Sequence, residues 1–298
     1  MKKIEKFQAP RGSLFIPGGP TGVLLIHSLG GSPLELKFLA QSLARQGHTV
    51  YCPVVPGLTF GTDVSGMSTW RDWYKSIEAA FEDLKSICKR AVMVGGASAG
   101  AILALRLAAH RPDEVSGNML YAPTLAVNGW AIPKTINLFH LVSDKWTARL
   151  FSFRTPAPHG IKDERVRNFA LEAMKGEGAM PADITVRGGG TVYEFLKLVR
   201  NVKPMLSKIR QHTLIFHPRE DDQSDMHNTM ILQRKLQGLV EVSILEDSYH
   251  LVTLDRQRGY VADRTVDFVD RVLARVAPAE AEVRPAAKSK PHLHGAAE

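Results

Sequence analysis

Five residues, 96–100, carry the strongest chemical signal in the chain, and they read Gly-Ala-Ser-Ala-Gly. The apolar run 90–94 before them predicts a buried strand, and the run 101–110 after them predicts a helix. A serine on a sharp turn from strand to helix is placed as a nucleophile, and its small neighbours permit the strained backbone that such a turn needs. The free N–H groups that begin the helix would face any anion that forms beside Ser98.

A serine hydroxyl is a weak nucleophile that needs an adjacent base, and the base needs an orienting acid. His250 follows the predicted strand 240–245 and is the candidate base. The candidate acid lies in the loop after the predicted strand 213–217, where Glu220, Asp221 and Asp222 compete and we favour Asp221. This order, serine then acid then histidine, is typical of a serine nucleophile on such a turn. The structural alternatives are a turn of small residues and a solvated acidic loop.

Cleavage of an acyl group also needs N–H donors for the oxyanion of the tetrahedral intermediate. The N–H of Ala99, directly after Ser98, is one expected donor. The glycine-rich 27–31 loop follows a predicted strand, and we expect the N–H of Leu29 to be the other. The alternative for this loop is a simple glycine-rich turn. His27 and His217 end predicted strands, so we expect them to bond to the backbone.

The elements that would position these groups alternate between strand and helix, which indicates an α/β protein with a mostly parallel sheet covered on both faces. Runs 13–16 and 22–27, separated by Pro-Gly-Gly-Pro, predict a hairpin. We expect a core built from residues 1–123 and 210–276 and a cap inserted at 124–209, with helical stretches near 134–151, 162–175 and 191–201. The Ala- and Pro-rich tail 277–298 is expected to be disordered.

Composition narrows the class of protein. The 298 residues are 44% apolar, as in a soluble chain with a substantial core. There is no apolar run of 18 residues and no apolar signal-peptide core, so we expect a cytoplasmic protein. Two cysteines, Cys52 and Cys88, are expected to be reduced. The net charge of +8 comes partly from residues 130–175, and it indicates a solvated basic surface or attraction to anionic substrates or membrane surfaces. No nucleic-acid module accompanies it.

Seven motifs together resemble the α/β-hydrolase superfamily, and within it the bacterial carboxylesterases and monoacylglycerol lipases with a small cap. They span roughly residues 13–275 and lie at 27–33, 69–73, 96–100, 121–125, 128–133, the Asp221 loop and 248–250. The resemblance implies the α/β-hydrolase fold with an inserted helical cap, and it places the acid at Asp221.

Two departures from the family pattern concern the acyl pocket. Ser28 stands where the family usually has glycine after the first histidine, and residues 53–59, Pro-Val-Val-Pro-Gly-Leu-Thr, replace a Pro-x-x-x-Gly-His-Gly loop. Both bear on substrate choice and leave the triad untouched.

The sequence therefore predicts a cofactor-independent, metal-free serine hydrolase that cleaves carboxylic esters. A monoacylglycerol lipase, thioesterase, lactonase or amidase is the alternative within the same chemistry, and a non-enzymatic ligand receptor is the alternative outside it. The expected partner is a small-molecule ester, and the oligomeric state stays open. Cap aromatics form either an acyl pocket or a cap core: Trp130, Phe139, Trp146, Phe151 and Phe153.

Overall fold

The computed structural model of the protein describes residues 7–62, 66–175 and 186–276. Its strands, in chain order, are β1 Leu14–Ile16, β2 Thr21–Ile26, β3 Thr49–Cys52, β4 Ala91–Ala97, β5 Gly117–Tyr121, β6 Ser152–Arg154, β7 Val186–Gly188, β8 His212–Pro218 and β9 Val240–Leu245. Seven of them form one sheet in the spatial order β1-β3-β2-β4-β5-β8-β9. From β3 to β9 across this sheet, all neighbours are parallel, as the strand–helix alternation predicts.

The hairpin predicted from the first two apolar runs is wrong. Strand β1 pairs antiparallel with β3, where Phe15 lies opposite Tyr51. Strand β2 is buried throughout and has a parallel neighbour on each side, β3 and β4. Both edges of β2 are therefore taken, and β1 covers the outer edge of β3 instead. Short apolar runs carry no information about which strand they will pair with.

Helices cover both faces of the sheet. The α-helices of the described residues are α1 Lys37–Arg45, α2 Trp70–Ile87, α3 Ala99–His110, α4 Lys145–Ala148, α5 Glu164–Lys175, α6 Gly189–Val202, α7 His227–Lys235 and α8 Arg258–Val276. Helices α2, α3 and α6 share one apolar cluster with Leu24 and Ile26, while α1 and α8 share another with Val23 and Leu25. Alternate residues of β2 point to opposite faces, so these clusters are the two layers of the core.

The region between β5 and β8 departs from the predicted pattern. The helical stretch expected near 134–151 is instead a 3₁₀ segment, Lys134–Leu141, followed by the short helix α4 and strand β6. Asp144 accepts a hydrogen bond from the Thr147 N–H and so starts a new helix inside the apolar pattern. Strand β6 pairs antiparallel with β7 in a small separate sheet. The division into core and cap stays a prediction, and the tail 277–298 lies outside the described residues.

Two further findings concern the cysteines and the apolar character of the helices. Cys52 and Cys88 are buried thiols in no disulfide. Within the described residues, no helix is both long and apolar enough to cross a bilayer.

Candidate active site

Ser98 lies at the junction of β4 and α3, where the chain turns sharply. Its backbone has φ 52° and ψ −112°, in the left-handed region that a residue with a side chain rarely adopts. A Cβ at Gly96 would overlap the backbone of Gly100, and a Cβ at Gly100 would overlap the backbone of Ile26 and His27. The two glycines are therefore required for the turn, which leaves the Ser98 side chain partly exposed at the carboxyl edge of the sheet.

Asp221 and His250 meet at the same edge, on loops that follow β8 and β9. The Nδ1 atom of His250 lies 2.9 Å from Oδ2 and 3.0 Å from Oδ1 of Asp221, and both residues are 3% exposed. The Asp221 carboxylate also accepts the N–H groups of Gln223 and Ser224, at 2.8 and 2.9 Å. Because Nδ1 faces the carboxylate, it carries the proton, and Nε2 is left to act as a base.

The pair shifts the pKa of both members. Burial alone would lower the pKa of His250, but the charge and hydrogen bond of Asp221 raise it above its ordinary value of 6.5. Burial would raise the pKa of Asp221, but the charge and hydrogen bond of His250 lower it below 3.8. The imidazolium that forms when His250 takes a proton is thus stabilised by its neighbour.

Asp222, the competing acid, faces the backbone. Its carboxylate accepts the N–H of Gly160 at 2.8 Å and the N–H of His250 at 3.3 Å. Glu220 lies at the surface with Lys162, 3.2 Å away. Of the three acids left open by the residues alone, the structure brings only the Asp221 carboxylate to the ring of His250.

A chain of hydroxyl groups links Ser98 to the Asp221–His250 pair. The Oγ of Ser98 lies 3.2 Å from Oγ1 of Thr124, which in turn lies 3.2 Å from Oγ of Ser224. The Ser224 hydroxyl lies 3.3 Å from Oδ2 of Asp221. Sequence reasoning assigned no role to Ser224, or to Thr124 within the 121–125 motif, because no spacing pattern pairs a hydroxyl residue there with Ser98.

Of the two expected oxyanion donors, Ala99 lies at the start of α3 and Leu29 lies in the loop that follows the end of β2. Ala99 is the first residue of α3, whose first N–H groups lack partners within the helix. Leu29 lies in the 27–31 loop, directly after β2, and is partly buried. The Ala99 N–H directly follows Ser98, and the 27–31 loop leaves the carboxyl end of β2, the strand next to β4.

His27 and His217 are bonded to the backbone, as predicted. His27 Nδ1 lies 2.8 Å from the Ser28 carbonyl oxygen and its Nε2 lies 2.7 Å from Thr59 Oγ1. Burial lowers the pKa of His27 to about 4, so the ring is neutral at neutral pH. His217 Nε2 lies 2.9 Å from the Ser224 carbonyl oxygen.

Glu35 is a buried acid at the site to which sequence reasoning assigned no chemical role. Its carboxylate accepts the N–H of Ser28 and, at 2.8 Å, the Ser28 hydroxyl. Burial is the main reason that its pKa rises to about 7, against the opposing effect of the two Ser28 hydrogen bonds. The departure at position 28 gave the signal, since a serine there can bond to an acid where glycine cannot.

The cap aromatics divide into two groups. Phe139 is buried and packs edge-on against Phe153 at 4.7 Å and Phe151 at 5.6 Å between ring centroids, while Phe151 itself is 47% exposed. Trp130 and Trp146 are 60% and 75% exposed, so neither belongs to a buried core. Across the described residues, no group of three His, Cys, Asp or Glu side chains is arranged to hold a metal.

Comparison with known proteins adds to this geometry. A thermostable monoacylglycerol lipase of a Bacillus species is 27% identical over 264 residues, which cover 85% of this chain and 92% of that protein. A carboxylesterase of Bacillus subtilis is 20% identical over 256 residues, 86% of this chain and 94% of that protein. A solved structure from work on the metagenome-derived lipolytic enzymes LipS and LipT has a TM-score of 0.68, with 26% identity over 89% of this chain and all of that one.

A soluble variant of monoglyceride lipase from Saccharomyces cerevisiae has the same fold, with a TM-score of 0.68 and 18% identity over 90% of this chain and 92% of that one. The alpha/beta hydrolase family itself matches residues 23–264, a range that includes Ser98, Asp221 and His250. With relatives named as a lipase and a carboxylesterase, the protein is a hydrolase. The chain belongs to the alpha/beta hydrolase family.

Proposed function

We propose that the protein is a serine carboxylesterase that works through an acyl-enzyme, with Ser98 as nucleophile, His250 as base and Asp221 as orienting acid. One observation carries the proposal: a buried Asp221 carboxylate lies 2.9 Å from His250 Nδ1, at the sheet edge where the strained Ser98 turn exposes a hydroxyl. A neutral His250 in this setting has one ring nitrogen available for the serine proton.

In the proposed acylation, Ser98 Oγ attacks the ester carbonyl carbon while His250 Nε2 takes the hydroxyl proton. The carbonyl oxygen becomes an oxyanion that accepts hydrogen bonds from the N–H groups of Leu29 and Ala99. Collapse of the intermediate breaks the ester C–O bond, and His250 gives its proton to the departing alcohol. Water then attacks the acyl-enzyme with His250 again as base, which releases the carboxylic acid and restores Ser98.

The first step requires the Ser98 hydroxyl to turn from Thr124 toward His250. The hydrogen bond that the hydroxyl gives up is one between two neutral hydroxyl groups. Substrate entry would supply the replacement contacts.

The ester class is supported by the relatives. A monoacylglycerol lipase and a carboxylesterase both match more than four-fifths of the chain, and we place this protein's substrates among carboxylic esters for that reason. A monoacylglycerol is the second candidate substrate, favoured by the 27% identical relative. The mechanism uses no cofactor or metal. A cytoplasmic location and attraction to anionic membrane surfaces stay predictions.

The test is hydrolysis of p-nitrophenyl esters of increasing acyl length, alongside a 1-monoacylglycerol, by the wild type and Ser98→Ala. We expect turnover by the wild type and its loss in Ser98→Ala. Ser86→Ala is the matched control, because Ser86 is an exposed serine of α2 whose hydroxyl donates to the Asp83 carbonyl. An inactive wild type that still binds esters stoichiometrically would favour a receptor and overturn the proposal.

A further inference from the structure

Glu35 binds the 27–31 loop near its start, at Ser28. The Glu35 carboxylate accepts hydrogen bonds from both the N–H and the hydroxyl of Ser28. Glu35 is a buried residue, 7% exposed. A buried carboxylate is costly unless it is hydrogen-bonded, so the pairing stabilises both partners. A Cβ at Gly31 would overlap this carboxylate, which explains the glycine there.

Arg187 binds the same loop through two backbone carbonyls. This residue belongs to β7, in the small β6–β7 sheet, and is 158 residues away from Leu29 in the chain. Its Nε donates to the Leu29 carbonyl and its Nη2 donates to the Gly30 carbonyl, each at 3.2 Å. Gly30 has a left-handed φ of 65°, and a Cβ on it would overlap the Arg187 side chain.

The direction of the Leu29 N–H follows from the contacts of its own peptide unit and of the peptide units before and after it. In a trans peptide the C=O and the N–H point in opposite directions. The Ser28 carbonyl oxygen, which shares a peptide unit with the Leu29 N–H, lies against His27 Nδ1 at 2.8 Å. Glu35 binds the Ser28 N–H, which belongs to the peptide unit before, and Arg187 binds the Leu29 carbonyl, which belongs to the peptide unit after. These two neighbouring peptide units therefore cannot rotate freely.

We propose that Glu35 and Arg187 are positioning residues that together clamp the 27–31 loop, Glu35 at Ser28 and Arg187 at Leu29 and Gly30, and so orient the Leu29 N–H for the oxyanion. The inference rests on the proposed esterase function. Arg187 lies in the inserted region, so the clamp also couples the position of that region to the assembly of the oxyanion site. Displacing β7 would release two carbonyls of the loop at once.

Kinetics separates positioning from general structural support. We expect Arg187→Met to lower kcat by about 10- to 100-fold with KM changed by less than about threefold, because a misplaced donor weakens transition-state binding more than substrate binding. A trifluoromethyl ketone, which forms a tetrahedral adduct with serine, should lose affinity by the same factor as kcat, while the product carboxylate should not. Arg187→Lys should recover part of the loss, since lysine can still donate to one carbonyl.

The matched control is Arg154→Met, which removes an exposed arginine from the partner strand of the same small sheet. It should behave as the wild type. Glu35→Gln provides a second route if Arg187→Met does not fold, and it should also lower kcat more than it raises KM. Unchanged kcat in well-folded Arg187→Met and Glu35→Gln, or equal losses for the ketone and the product, would overturn the inference.

Hydrogen exchange distinguishes failure of the clamp inference from failure of the proposed esterase function. Amides of the 27–31 loop should exchange faster in Arg187→Met than in Arg154→Met, whether or not the protein hydrolyses esters. If the wild type does not hydrolyse esters but the loop amides exchange faster in Arg187→Met than in Arg154→Met, the clamp is supported and the esterase is rejected. If the wild type is active but the loop amides of the two variants exchange at the same rate, only the clamp is rejected.

Discussion

The hydroxyl of Ser98 lies 3.2 Å from the hydroxyl of Thr124, on the turn that follows β5. Within the described part of the chain, no hydrogen bond joins Ser98 Oγ to His250. Thr124 is 3% exposed, and its own hydroxyl also lies 3.2 Å from the Ala122 carbonyl oxygen and from Ser224 Oγ. The proposed nucleophile is thus engaged by a competitor for the contact that the proposed mechanism requires.

Removing this competitor should speed acylation. Thr124→Val keeps the shape of the side chain and deletes the hydroxyl, which frees Ser98 to turn toward His250. A neutral hydrogen bond contributes about 1 kcal/mol, so we expect a rise of up to about fivefold in the rate of labelling by a fluorophosphonate probe. The measurement is the second-order labelling rate followed by gel fluorescence.

Thr124→Ser is the control, because it retains the hydroxyl and should label at the wild-type rate. Slower labelling of Thr124→Val, restored in Thr124→Ser, would mean that Thr124 assists Ser98 rather than competing with it.

The acid role can be assigned by comparing two neighbouring aspartates. Asp221→Asn removes the charge that stabilises protonated His250 and favours the wrong ring tautomer, so we expect kcat to fall by about 10³- to 10⁴-fold. Asp222→Asn should lose less than about tenfold, because Asp222 bonds to the backbone N–H groups of Gly160 and His250. Steady-state kinetics on one p-nitrophenyl ester measures both, and a larger loss in Asp222→Asn would move the acid role there.

The pH dependence of the reaction should report His250. Burial opposes its protonation, but the facing carboxylates of Asp221, Asp222 and Glu35 raise its pKa above 6.5. The base must be neutral to act, so kcat/KM should rise with pH and reach half its limit above pH 6.5. Profiles of kcat/KM between pH 5 and 9 test this. A midpoint at or below 6.5 would contradict the expected environment of the ring.

Glu35 should make the stability of the fold depend on pH. Its pKa is raised by burial from 4.5 to about 7, despite hydrogen bonds from Ser28 and the charges of His250 and Arg187. The folded state therefore holds its proton where the unfolded state has lost it, and stability declines as pH rises from about 4.5 through 7. At pH 8 the decline attributable to Glu35 should be about 3 kcal/mol relative to pH 4.

Urea unfolding of the wild type and Glu35→Gln at pH 4 and pH 8 checks this. The free energy of unfolding of the variant should fall less between the two pH values, since glutamine does not titrate. Parallel changes in the two proteins would show that Glu35 has an ordinary pKa.

Much of the fold could be predicted because its signals are local. The turn at Ser98 follows from an apolar run, small residues and a second apolar run within about twenty positions, and the structure has β4 and α3 there. The same reasoning located β8 and β9, and the loops after them that carry Asp221 and His250. The α/β-hydrolase fold was predicted from these signals and the motif resemblance, and it is confirmed. The catalytic roles stay predictions.

Pairings between distant segments had no such local signal. The partner of β1 depends on which strand edge is left open once β2 is enclosed, and an apolar run does not encode that. Two adjacent aspartates look alike in sequence, and the loop after β8 decides which carboxylate reaches the ring of His250.

The sequence by itself determined where a serine, an acid and a histidine follow strands, because strand and helix periodicity is a property of consecutive residues. Tertiary structure alone decided that Thr124 engages Ser98, and that Glu35 and Arg187 hold the 27–31 loop. Hydrogen bonds act over about 3 Å and depend on the angles between donor and acceptor. Residues as far apart in the chain as Leu29 and Arg187 meet these conditions only when the large sheet and the small β6–β7 sheet are folded together.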